Sequence, residues 1–276
     1  MQRTWFITGT SSGFGRIMTE QLLERGERVA ATLRRPAALA ALKKRYPGQL
    51  WVAPLDVTDS AAIEAVMARA FAELGRIDVV VSNAAYGLFG AAEELSSAQI
   101  RRQIDTNLLG SIELIRAALP HLRTQKGGRV IQVASEGGQM AYPNFSVYHA
   151  TKWGIEGFVE SVAQEVAPFG IEFTIAEPGP TPTNFAAGLD HAPAMPDYAD
   201  TPSGAVRRAI ADGSFQLTGD PERMVAAMID SVDVAPAPRR LTMGSHAYAS
   251  IHAALGERLA RLEAQKALAF ATDLKG

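Results

Sequence analysis

Short runs rich in β-branched and aromatic residues alternate along this chain with longer stretches whose apolar positions recur every three or four residues. The runs are Thr4 to Thr8, Arg28 to Leu33, Leu50 to Leu55, Asp78 to Ser82, Arg129 to Ala134 and Ile171 to Ala176. Between the third and fourth, Ile63, Val66, Met67, Ala70, Phe71 and Leu74 share one face at helical spacing. Such alternation predicts an α/β domain with a parallel sheet covered by helices on both faces. The uninterrupted Val79, Val80 and Val81 agree, since a strand buried on both faces has no polar side to show. The pattern breaks at Pro178: six prolines, counting that one, and several small residues lie between there and Asp220, with at most one short helix around Ala205 to Ala211. A stretch that long without regular structure predicts a lid over a site, at about residues 180–220. A helix from Pro221 to about Val232, a last strand near Arg240 to Met243 and a terminal helix after Ala247 complete a single domain over 1–276.

Composition narrows the function more than the fold. With 47% hydrophobic and 20% charged residues in 276, the chain reads as an ordinary globular protein. A net charge of −2 provides no general basic surface for nucleic acid. No apolar run is long enough to span a bilayer. Without Cys there are no disulfides, no thiolate chemistry and no Cys-based zinc site, and no other metal-ligand spacing stands out. Met1 leads directly into TWFIT with no secretory signal pattern, so a cytoplasmic location is expected.

Candidate chemistry sits where the predicted strands end. After the first strand comes TGTSSGFG: Gly9, Thr10, Ser11, Ser12, Gly13, Phe14, Gly15. Glycines let the backbone turn sharply and approach a pyrophosphate, and the following helix offers unpaired N–H groups and the positive end of its dipole. Farther on, VYHATK places Tyr148 and Lys152 four residues apart, adjacent on one helical face. A phenol beside a fixed positive charge is expected to lose its proton more readily, and so to serve as an acid near neutral pH. His149, directly after it, points about 100° away on a helix and is expected to pack elsewhere. His191 reads as an ordinary loop residue.

Together these motifs resemble the short form of the short-chain dehydrogenase/reductase family, which uses T-G-x-x-x-G-x-G and Y-x-x-x-K. The resemblance covers nearly the whole chain. The family's other marks follow in order: Asp56 and Val57 in LDVTD, Asn83, Ala84 and Ala85 in SNAA, Asn107 in DTNLLGS, Ser135 thirteen residues before Tyr148, and Pro178, Gly179, Thr181 and Thr183 in PGPTPT. Ala85 stands where glycine is usual, which is tolerable if the position needs only a small side chain and not a positive φ. The resemblance implies a Rossmann-type doubly wound sheet and hydride transfer between a nicotinamide and a carbonyl or alcohol carbon. Tyr148 would be the proton donor or acceptor, Lys152 would favour the phenolate and hold the nicotinamide ribose, and Ser135 would donate to the substrate oxygen. Asn107 would hold a water linking Lys152 to solvent.

An acid at the end of the second strand would bind the ribose hydroxyls of NAD(H). Leu33 occupies that place, followed by Arg34 and Arg35, whose guanidinium groups suit a 2′-phosphate, so NADP(H) is expected in preference to NAD(H). Leu88, Phe89, Met140, Tyr142, Phe145 and the apolar residues of the lid predict a small-molecule carbonyl or alcohol substrate of apolar character. Trp153 and Gly157 form a second stripe on the Tyr148 helix that fits a homodimer or homotetramer. Two readings compete. A non-catalytic NADP-binding regulator or redox sensor would have lost part of the Asn, Ser, Tyr, Lys set; a sugar-nucleotide epimerase or dehydratase would differ in glycine spacing and carry a longer substrate domain.

Overall fold

A computed structural model describes residues 2–274. The strands are β1 (Thr4–Thr8), β2 (Arg28–Leu33), β3 (Leu50–Pro54), β4 (Val79–Ser82), β5 (Leu88–Phe89), β6 (Gly128–Val133), β7 (Ile171–Pro178), β8 (Asp190–His191) and β9 (Arg240–Met243). Seven of them form one parallel sheet in the order β3-β2-β1-β4-β6-β7-β9. The chain starts in the middle of that sheet, winds outward to β3, then crosses back to β4 and winds the other way. The reversal between β1 and β4 opens a crevice at the carboxyl ends of the strands, where ligands of open α/β sheets bind.

Helices α1 (Gly13–Glu24), α2 (Ala40–Arg45), α3 (Ser60–Leu74), α4 (Ser97–Ile104), α5 (Gly110–Thr124), α6 (Ser146–Val166), α7 (Asn184–Ala187), α8 (Pro202–Ala211), α9 (Pro221–Asp230), α10 (Ser245–Ala264) and α11 (Lys266–Ala271) fill the connections. Alternation along β1 shows why its three central residues are all apolar. Trp5 and Ile7 face a layer with Met18 and Leu22 of α1 and Val225 and Met228 of α9. Phe6 faces the opposite layer, with Met67 of α3, Ile115 of α5 and Ile155 of α6. Each such fully buried side chain contributes about 1.5–3 kcal/mol of transfer free energy. Helix ends follow local chemistry: Asp59 accepts from the Ala62 amide at the start of α3 (2.9 Å), and Gly75 takes φ +80° just beyond its end.

The lid is more ordered than its prolines predict. Pro202 occupies the first turn of α8, a place where proline is favourable, and Thr201 caps the helix by accepting from the Ser203 amide. A two-residue strand, β8, pairs in parallel with β5 and ties the lid to the loop after β4. The Trp153 stripe is partly covered by the chain's own C-terminal helix: Arg258 of α10 lies 5.0 Å over the Trp153 ring and donates to the Gln139 carbonyl. Among the described residues no helix is long and apolar enough to cross a membrane, and no cluster of His, Asp and Glu is placed to hold a metal ion.

Candidate active site

The crevice is a cleft of about 1020 Å³. At one end is the turn between β1 and α1. Gly9 and Gly13 take φ of +71° and +55°, the left-handed region in which a side chain is strained. Gly15 needs its hydrogen for a different reason: a Cβ there would stand 2.5 Å from the Gly9 carbonyl oxygen and 2.6 Å from the Asn83 amide nitrogen. Asn83 in turn donates to the Thr8 carbonyl (2.8 Å), and the Thr8 hydroxyl accepts from the Asn83 and Ala84 amides at 3.0 and 3.1 Å. The ends of β1 and β4 are thus stitched together at the crevice. No side chain caps the first amides of α1, and no acidic residue lies in its first turn. Those N–H groups and the dipole behind them suit an anion, and the glycine cradle lets a pyrophosphate approach the backbone, so the residues present fit a dinucleotide.

Ser11, Ser12, Phe14, Arg34, Asp56, Val57, Ala84, Ala85, Pro178, Gly179, Thr181 and Thr183 line the same cleft with Gly9, Gly13 and Asn83. Ala85 lies outside the left-handed region, so its methyl group carries no backbone strain. The Asp56 carboxyl accepts from the Thr58 amide and hydroxyl, at 3.0 and 2.8 Å. The amide bond does most to hold it below the usual carboxylate range against partial burial, with help from the hydroxyl and the Arg34 charge. Three of the expected cofactor residues lie outside the cleft wall. Thr10 turns inward and donates to the Thr32 carbonyl, Gly15 sits beneath Gly9, and Arg35 is exposed at the start of the Pro36–Leu39 turn, outside the cleft wall.

At the other end, α6 carries Tyr148 and Lys152 into the cleft beside Ser135, which follows β6. The Ser135 hydroxyl accepts from the Gly137 amide (3.1 Å), which leaves its own proton directed toward the Tyr148 oxygen. The Lys152 ammonium donates to the Val133 carbonyl (2.9 Å) and lies 5.6 Å from the centre of the Tyr148 ring. Here the expected electrostatics need correction. Burial pushes Tyr148 up to about 12, opposed by its hydrogen bond with Ser135 and assisted by the Glu136 charge. Burial also brings Lys152 down to about 8, opposed by Glu156. Desolvation is the largest influence on both groups, and the phenol holds its proton at neutral pH.

Asn107 is also placed differently. It lies in a π-helical turn (Asp105–Leu109) joining α4 to α5, buried and outside the cleft wall. Its side chain donates to the Tyr86 carbonyl (2.8 Å) and accepts from the Tyr86 amide (3.1 Å), and Gln103 donates to the same carbonyl at 3.0 Å. Its side chain thereby clamps the loop after β4.

The remaining wall is apolar. Tyr142, Phe145, Phe185, Leu189, Ile210 and Phe215 line it, with the Phe185 ring 5.5 Å from that of Tyr148. Leu88 and Phe89, expected there, are buried in the β5 pairing beneath, and Met140 also falls outside the wall. Sequence reasoning missed Arg102 and Asp190. Arg102 stacks on Tyr86, donates to its hydroxyl (3.2 Å) and pairs with Asp190 of the lid. A contact between positions 88 residues apart leaves no local signal.

His149 packs against Tyr142 and Phe145 with both ring nitrogens buried and unpartnered. Burial lowers it to about 4 from an ordinary 6.5. A depressed folded-state value means that its contribution to stability is complete above pH 6.5 and is lost as pH falls toward 4. The loss amounts to about 3 kcal/mol. Melting curves from pH 7 to 4 should therefore show His149→Leu gaining on the wild type as pH drops; a constant gap would contradict the assignment. His191 is exposed and stands edge-on to Phe89 at 5.3 Å.

Known proteins share this arrangement. A family model described as short chain dehydrogenase matches residues 3–194. An oxidoreductase of Botryotinia fuckeliana (strain B05.10), BOA17, is 34% identical over 249 residues, covering 90% of each chain. The human 17-beta-hydroxysteroid dehydrogenase type 1 is 36% identical over 188 residues, 65% of this chain and 57% of that one. The crystal structure of a short-chain dehydrogenase from Streptomyces avermitilis superposes with a TM-score of 0.92 at 36% identity, covering 99% of this chain and 100% of its own. With a glycine-turn cleft that ends at Tyr148, Lys152 and Ser135, the chain is an oxidoreductase that belongs to the short-chain dehydrogenase/reductase family.

Proposed function

We propose that this oxidoreductase uses NADP(H) to interconvert a carbonyl and a secondary alcohol on a small apolar molecule. The observation that carries the reading is one cleft with an anion-accepting glycine turn at one end, an aromatic wall at the other, and Tyr148, Ser135 and Lys152 between them. When bound, the nicotinamide supplies or takes up the hydride. In the reducing direction Tyr148, protonated in its buried setting, donates its phenolic proton to the carbonyl oxygen. Ser135 donates a hydrogen bond to the same oxygen as negative charge develops there. Lys152, the cation nearest the Tyr148 ring, stabilises the phenolate left behind. The aromatic wall excludes water from the exchange and favours apolar substrates, in keeping with the steroid named for the human relative.

Arg34 lines the cleft directly after Leu33, where an acid would repel a 2′-phosphate. Loss of a charge-assisted contact costs about 1.5–3 kcal/mol, so Arg34→Ala should weaken NADPH binding about 10–100-fold and leave NADH nearly unchanged. An unaltered preference would remove the basis for NADP(H). The function itself is tested by following NADPH oxidation against a panel of apolar ketones, aldehydes and quinones. No turnover on any of them, with NADPH bound, would overturn the substrate class.

A further inference from the structure

Beyond the residues that would meet cofactor or substrate, α6 continues its buried polar line for another turn: Tyr148, Lys152, Glu156. Glu156 is 3% exposed. One carboxylate oxygen accepts from Arg240 of β9 at 2.6 Å; the other is buried without a hydrogen-bond partner. That second oxygen lies against the turn that Ser135 caps: a Cβ on Gly138 would stand 1.7 Å from it.

Charge around Glu156 does not balance locally. From β7, the fully buried Glu177 shares the same Arg240 guanidinium and also accepts from Gln139 (2.7 Å) and Thr242 (2.8 Å). Glu160, one turn on along α6, meets Arg240 from its solvent side at 2.9 Å. Glu136, in the turn itself, is engaged by His246 and Ser250 of α10, each at 3.0 Å. Two buried carboxylates therefore face a single guanidinium, and the next buried cation is Lys152, one turn back along α6. A buried charge left without its complement is strongly destabilised.

We propose that Glu156 is a positioning residue that keeps Lys152 charged through the dry interior of α6 and seats the Ser135 turn against the same helix. The catalytic consequence rests on the reading of Tyr148 and Lys152 given above; the effect on Lys152 does not. Burial lifts Glu156 to about 7 despite Arg240, and Glu156 is the neighbouring charge that opposes the fall of Lys152 to about 8. Two groups so placed titrate as a coupled pair.

The chain has six lysines, so selective carbon-13 labelling of lysine, with Lys152→Met for assignment, allows Lys152 to be titrated directly by NMR in the full-length protein. In Glu156→Gln the Lys152 midpoint should fall by about one pH unit, a tenfold loss of proton affinity. Glu160→Gln, which also touches Arg240, should leave it in place. An unmoved midpoint in folded Glu156→Gln overturns the proposal. Should that variant not fold, the wild type decides: the Lys152 resonance must show a second inflection as Glu156 titrates, and a single transition overturns the proposal. The alkaline arm of the kcat/KM profile should shift with the Lys152 midpoint. If the midpoint moves and the arm does not, Glu156 keeps its role and the catalytic use of Lys152 fails.

Discussion

Tyr148→Phe is expected to lower turnover about 10²–10⁴-fold, the usual worth of a positioned proton donor. NADPH affinity should stay within about threefold, because the substitution removes one oxygen and keeps the ring. That ring packs edge-on against Phe145 at 6.0 Å and near Phe185 at 5.5 Å, contacts that phenylalanine preserves. Steady-state rates, together with a fluorescence titration of NADPH, separate the two effects. If both rate and affinity fall together, the residue is holding the site in shape. If neither falls, another group supplies the proton. Burial sharpens the expectation: with the phenol raised to about 12, Tyr148 carries its proton throughout the neutral range, so no ionisation of this group competes with donation.

The parts of this site that could be read from sequence are those whose cause is local. Parallel strands buried on both faces announce themselves as apolar runs, as Val79, Val80 and Val81 of β4 do. Glycines at strand ends mark backbone that a side chain would obstruct, and Gly9 and Gly13 take the positive φ that such a turn requires. What could not be read depends on the third dimension. The electrostatics of Tyr148 and Lys152 were inferred from their spacing, which is correct, yet the sign of the phenol's displacement is set by how much protein surrounds it. Asn107 lies in a π-helical turn whose amide groups meet Tyr86, a register that helical periodicity cannot reveal. The pairing of β5 with β8 and the Arg102–Asp190 bridge give the lid its order, and both join segments about a hundred residues apart. Sequence indicates one short helix there, around Ala205 to Ala211; in the structure it ends at Ala211 and starts earlier, at Pro202.

Gly15→Ala is expected to be the most damaging single methyl group in the cofactor half of the cleft. Its Cβ meets the Gly9 carbonyl at 2.5 Å and the Asn83 side-chain nitrogen at 2.6 Å. Neither is the free end of a flexible chain, since Gly9 is fixed at φ +71° and Asn83 is bonded to the Thr8 carbonyl. Relief therefore requires the glycine turn and the end of β4 to move apart. Overpacking of this kind costs about 1–3 kcal/mol of stability. The same displacement shifts the first amides of α1, so NADPH binding should weaken at least about tenfold, by roughly 1.4 kcal/mol or more. Gly157→Ala on α6 is the matched control: a Cβ there meets nothing within 4 Å, and alanine favours a helix over glycine by about 0.5–1 kcal/mol. Melting temperature should thus move in opposite directions for the two variants, and NADPH affinity should fall only in Gly15→Ala. Equal effects would mean that the cradle yields easily, and that Gly15 is present for chain flexibility and not for the close approach of backbone to backbone.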